Sequence, residues 1–99
     1  MNQIERITIN EKRLDNVLNN IKELDNNLKT FKNNKKNIEL LNKYYGSKNW
    51  FKDKEDFESN KISNIKAGVL SEDAIWNMSD DIKDILLDME EIIKLYRGW

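Results

Sequence analysis

The chain has no cysteine, no proline and no histidine, and only three glycines in 99 residues. Without cysteine there is neither a disulfide framework nor a thiolate metal site. Without proline, and with glycine confined to Gly46, Gly68 and Gly98, two long stretches carry no breaker. That favours helix over a many-turned β fold, which needs punctuation every ~8–12 residues. Without histidine the usual general base is missing, and no acid, base and nucleophile can be assembled into a convergent set. We therefore expect no enzymatic activity and no cofactor. Residues 1–10 contain no apolar core of a signal peptide, and no window approaches the ~18 apolar residues of a membrane span. With 35% charged residues and none of the staples of a small secreted domain, the expected setting is soluble, reducing and cytoplasmic, with no membrane contact.

What the chain does contain is helical patterning. With Leu14 as heptad position a, the a and d positions read Leu14, Val17, Ile21, Leu24, Leu28, Phe31, Lys35 and Ile38. Lys35 interrupts the stripe, although its stem can lie along apolar surface. Upstream, Ile7 keeps the register and Asn10 does not. This is one face of a long helix of near-heptad spacing, from about Ile4 to Tyr45, ending at Gly46 where positive φ is available. The Asn pairs at 19–20, 26–27 and 33–34 lower its propensity by a few tenths of a kcal/mol each, without reversing the helical pattern.

A second stripe runs Ile75, Met78, Ile82, Ile85, Met89, Ile92 and Tyr96, widened by Leu86 and Ile93. Ser71 suits its N-cap, Glu72 and Asp73 the positive end of its dipole, and Leu70 with Ile75 the spacing of a hydrophobic staple. Between the helices, residues 46–70 form a connector too apolar to be a free linker, with Trp50, Phe51 and Phe57 as anchors. One or two short helical turns are expected there. The fold class is thus all-α, a coiled-coil-like antiparallel helical hairpin forming a single domain: helix 1 over 4–45, a packed, partly helical connector over 46–70, and helix 2 over 71–96. Helix 1 is ~60 Å long and helix 2 ~39 Å. The part of helix 1 before about Leu18 then lacks an intrachain partner, which exposes Ile4, Ile7, Leu14 and Val17.

Charge follows the same division. Residues 1–49 carry ten Lys or Arg and six Asp or Glu, net +4; residues 50–99 carry seven and twelve, net −5; together they give the overall −1. Acidity gathers on helix 2, where Asp81, Asp84 and Asp88 lie at i, i+3 and i+7. That spacing could share a divalent metal, but the acids fall on the polar side of the stripe, so a solvated face is the simpler expectation and no metal is assigned. Lys29, Lys32, Lys35, Lys36 and Lys43 form a basic zone, yet the acidic whole and the scarcity of neighbouring aromatics argue against nucleic acid as a partner.

Two motifs carry a resemblance. Tyr44-Tyr45-Gly46-Ser47 followed by Trp50, together with Gly68-Val69-Leu70-Ser71-Glu72-Asp73-Ala74-Ile75, resembles the bacterial domain-of-unknown-function family 4298 over about Ile4 to Ile93. The resemblance implies a long first helix, a Tyr-Tyr-Gly-Ser turn, a Trp-containing connector and a last helix opening at Gly-Val-Leu-Ser-Glu-Asp. It implies no activity. This chain departs from it in its richness in Asn and Lys and in its tail, Tyr96-Arg97-Gly98-Trp99.

The candidate contact residues are Ile4, Ile7 and Leu14 on the uncovered part of helix 1; Tyr44, Tyr45, Trp50 and Phe51 at the turn; Asp81, Asp84 and Asp88 on helix 2; and Trp99 in the tail. The turn aromatics read either as a platform for a partner or, more simply, as a seal on the hairpin end. A thin two-helix core is marginal alone. The expected role is a non-enzymatic protein–protein interaction module, a homodimer or part of a heteromeric complex. The alternative is a small phage- or mobile-element-type inhibitor or immunity protein that binds a basic target through acidic helix 2.

Overall fold

The computed structural model describes all residues, 1–99, and resolves into two compact units, residues 1–38 and 39–99. It contains helices and no strand, so the chain is all-α. The order is α1 (Gln3–Asn33), α2 (Lys35–Tyr44), α3 (Lys48–Glu58), a 3-10 turn (Gly68–Leu70) and α4 (Glu72–Leu95). The sequence of a long helical stretch, a partly helical connector and a last helix is the one the periodicity predicts.

The first unit is essentially α1. Its start is set by Asn2, whose side-chain oxygen accepts from the backbone N–H of Glu5 at 2.8 Å while its amide donates to the Glu5 carboxylate at 3.1 Å. The first bond is the N-cap, with Asn in the capping place, and the second ties the two side chains together. The helix runs unbroken through Asn10, whose amide donates to the Arg6 carbonyl at 2.9 Å. The expected single helix over 4–45 is instead divided at Asn34. There the backbone keeps right-handed angles (φ −79°, ψ −5°), and the Asn34 N–H is shared among the carbonyls of Thr30, Phe31 and Lys32. The Ile38 N–H then bonds to the Asn34 carbonyl at 2.9 Å. The physical reason is local: Asn33 and Asn34 are both poor helix formers, and the last turn tightens where they adjoin.

No residue of α1 is buried. The expected exposure of Ile4, Ile7, Leu14 and Val17 is present, but it does not stop at Leu18. Ile21, Leu24 and Leu28 are open as well, and the stripe spans 44% exposure at Leu28 to 76% at Ile4.

The second unit holds the core. α2 ends at Tyr44, and Gly46 follows with φ +76°, the stop expected of it. The Ser47 hydroxyl accepts from the Trp50 N–H at 3.2 Å and opens α3, which at 11 residues is longer than the turns expected of the connector. α3 closes in a Schellman arrangement: Asn60 takes φ +62°, the Lys61 N–H bonds to the Asp56 carbonyl, and the Asn60 N–H bonds to the Phe57 carbonyl. Asn thus does there what Gly does after most helices. The 3-10 turn brings Leu70 inward, and Ser71 caps α4 by accepting from the Asp73 N–H at 3.3 Å. Leu70 and Ile75, the expected staple, are 7% and 6% exposed; with Trp50 at 3% they are the three buried residues of the chain. α3 and α4 both pack on the 3-10 turn.

Candidate functional site

The side chains with the most chemistry meet where α2, α3 and the start of α4 converge within the second unit. Trp50 is the centre. Its indole N–H donates to the Val69 carbonyl at 3.0 Å, so its one polar atom is satisfied inside the core. Tyr45 and Phe51 both meet it edge-on, each at a centroid separation of 5.0 Å. The Lys54 ammonium stands 5.5 Å from the ring centroid, one helical turn further along α3. The same ammonium donates to the Glu72 carboxylate at 2.8 Å and lies 3.7 Å from Glu58. Tyr45 donates its hydroxyl to the Glu72 carbonyl at 2.9 Å. The first turn of α4 is therefore tied to α2 and α3 by one tyrosine and one lysine.

Tyr44 makes a separate contact. Its hydroxyl donates to the Asp53 carboxylate at 2.5 Å. The hydrogen bond to Asp53, then partial burial, then the negative charge of Asp53 hold the proton on the phenol, and the Tyr44 pKa is pushed up to about 12. The hydrogen bond to Glu72 raises the Lys54 pKa, and the same bond lowers that of Glu72. These shifts keep Tyr44 neutral and Lys54 and Glu72 ionised; none of them produces a base or nucleophile poised near neutral pH.

The structure thus brings Tyr44, Tyr45, Trp50 and Phe51 together, as the turn motif suggests, and distributes them unequally. Trp50 is core; the two tyrosines are half-buried with their hydroxyls engaged; Phe51 is the one that faces solvent. The other candidates lie apart from this cluster. Ile4, Ile7 and Leu14 are exposed on α1, Asp81, Asp84 and Asp88 are exposed on α4, and Trp99 is fully exposed. No group of three or more His, Asp or Glu side chains is placed to hold a metal ion. No helix is long and apolar enough to cross a membrane.

Asp53, Lys54 and Glu72 are the participants that sequence reasoning overlooks. Lys54 sits four residues after Trp50, a spacing that signals a contact on one helix face. The Lys54–Glu72 link has no such signal, because it joins residues 18 apart across a loop.

The family model described as "Domain of unknown function (DUF4298)" matches residues 7–93. No curated protein and no solved structure matches the chain.

Proposed function

The chain belongs to the DUF4298 family across most of its length, and from its uncovered helix we propose that it is a non-enzymatic protein–protein interaction module of the cytoplasm. One observation carries this reading. α1 is 31 residues long, none of them is buried, and from Leu14 to Phe31 apolar residues recur along one face. A helix of that kind draws little stability from its own propensity and gains most from a second surface laid on its stripe. Covering the open half of a Leu, Ile or Val side chain is worth about 1 kcal/mol. Ile7, Leu14, Val17, Ile21, Leu24 and Leu28 together offer on the order of 6 kcal/mol, before the cost of association. Around Trp50 in the second unit, by contrast, the polar atoms of Tyr44, Tyr45, Trp50 and Lys54 are used in bracing the fold.

The test is a double substitution in the full chain, Leu14→Glu with Ile21→Glu. Assemblies formed by the tagged wild-type protein should be lost by the variant, while the near-ultraviolet dichroism of the Trp50 cluster stays unchanged. Assemblies that survive both substitutions would remove α1 from the reading.

A second reading rests on a different surface. Asp81, Asp84 and Asp88 are exposed and make no ion pair within the chain, which suits an inhibitor that presents acidic α4 to a basic target. Binding by that surface should weaken steeply with salt and vanish when the three are reversed to Lys. Salt-independent binding would count against it.

A further inference from the structure

The apolar stripe that runs along α1 and into α2 has two polar interruptions, Asn10 in α1 and Lys35 at the start of α2, and their placement selects a partner. We infer that α1 pairs with α1 of a second copy of this chain, antiparallel and about a two-fold axis that passes between Ile21 and Leu24. The inference rests on the interaction-module reading and names the partner that reading leaves open.

The argument is one of register. In an antiparallel pair of identical helices, each a position of one copy opposes a d position of the other, and every contact occurs twice. If Ile21 opposes Leu24 of the second copy, then Val17 opposes Leu28, and Leu14 opposes Phe31. Continuing outward, Asn10 opposes Lys35. The two residues that spoil the stripe therefore face one another, and neither sits against an apolar layer. A slip of one heptad in either direction breaks this match, setting Asn10 against Leu28 or Lys35 against Val17. A parallel pair would set Lys35 against Lys35. Mismatched layers of this kind are the device by which polar core positions specify register.

The flanking positions agree. In the same register Glu11 opposes Lys32 of the second copy, twice per dimer, and neither residue forms an ion pair within its own chain. On the same flank Leu18 opposes Asp25, and on the other Asn20 opposes Asn27 and Arg13 opposes Asn34, so no like charges meet. Asn20, Asn27 and Asn34, the second member of each Asn pair, thus lie beside the seam, where amide side chains can pair across it. Exposure is consistent with an unoccupied seam: Ile21 and Leu24, at the proposed axis, are 55% and 46% exposed. α1 is about 46 Å long, ample for the six apolar layers that Leu14 to Phe31 supply in the two copies.

The absence of native cysteine makes the geometry directly testable in the full chain. Two single variants, Leu14→Cys and Phe31→Cys, are oxidised separately and as a mixture. The expected result is a covalent dimer in the mixture, linked between positions 14 and 31, and no covalent dimer from Leu14→Cys alone, whose thiols would lie about 26 Å apart along the pair. Crosslinking of Leu14→Cys to itself would mean a parallel pair and would overturn the inference. A second measurement does not depend on the thiols. Glu11→Lys and Lys32→Glu should each weaken the dimer about tenfold in sedimentation equilibrium, and the double variant should restore it. A wild-type chain that stays monomeric at high micromolar concentration overturns self-pairing. The broader module reading fails only if α1-dependent assembly with other proteins is lost as well.

Discussion

Trp50→Ala should come close to unfolding the second unit, and the size of the effect follows from how few residues hold it. Trp50, Leu70 and Ile75 are the buried residues of the chain. A tryptophan at 3% exposure removes ~150–250 Å² from water, worth roughly 4–6 kcal/mol at ~25 cal/mol/Å². Its indole N–H bond to the Val69 carbonyl contributes about 1 kcal/mol net, and losing it leaves that carbonyl without its partner. Partial collapse of the cavity returns some of this, so the observed loss should be about 3–5 kcal/mol. A unit of this size is worth ~3–9 kcal/mol in total. Urea unfolding followed by far-ultraviolet dichroism should show the Ala variant at or near its midpoint without denaturant. Trp50→Phe, which keeps most of the ring volume and loses the donor, should cost about 2 kcal/mol. Trp76, at 65% exposure, provides the control: Trp76→Phe should stay within about 0.5 kcal/mol of wild type. A loss below about 1 kcal/mol for Trp50→Ala would refute the claim that this residue organises the unit.

Alkaline titration followed by tyrosinate absorbance should find Tyr44 ionising at about 12, and Asp53→Asn should bring it down toward the ordinary value near 10. Because the folded value lies above the unfolded one, the stabilising contribution is complete below pH ~10 and is lost as pH climbs from ~10 to ~12; urea midpoints measured across that window should fall in the wild type and fall less in Asp53→Asn. Gly46→Ala should cost about 1 kcal/mol, since φ is +76° and an added Cβ would meet nothing within 4 Å, which leaves backbone strain as the whole effect. Gly46→Asn should cost less, because Asn60 and Asn64 already hold positive φ in this chain, and thermal melts of the three proteins should rank Gly, Asn, Ala.

How far the fold was legible depends on the range of each interaction. Ser71, Leu70 and Ile75 act within one turn of each other, and cap and staple appear where their spacing predicts. Gly46 likewise ends α2 for a reason confined to its own φ. The cap at Asn2 was equally local, but Asn2 is not an apolar position, so periodicity alone passes over it. The break at Asn34 escapes for the opposite reason. Asn34 lies off the apolar stripe, and a pattern of apolar positions continues through Phe31, Lys35 and Ile38 whether or not the backbone tightens between them.

Trp50 shows why function is harder to read than fold in this chain. Tyr44, Tyr45 and Phe51 look like a binding platform when written in a row with it, and the row does not contain the groups that engage three of the four: Asp53 for Tyr44, the Glu72 carbonyl for Tyr45, the Val69 carbonyl for Trp50. Each of those bonds turns an aromatic inward and spends its polar atom on bracing. α1 is the reverse case. None of its apolar side chains is buried, so the pattern written in the heptads stays at its surface. The positions of Asn10 and Lys35, Glu11 and Lys32 then carry information about a neighbour that a buried helix would have concealed. On physical grounds the informative part of such a protein is the apolar surface its own fold leaves uncovered, and here that surface is the stripe of α1.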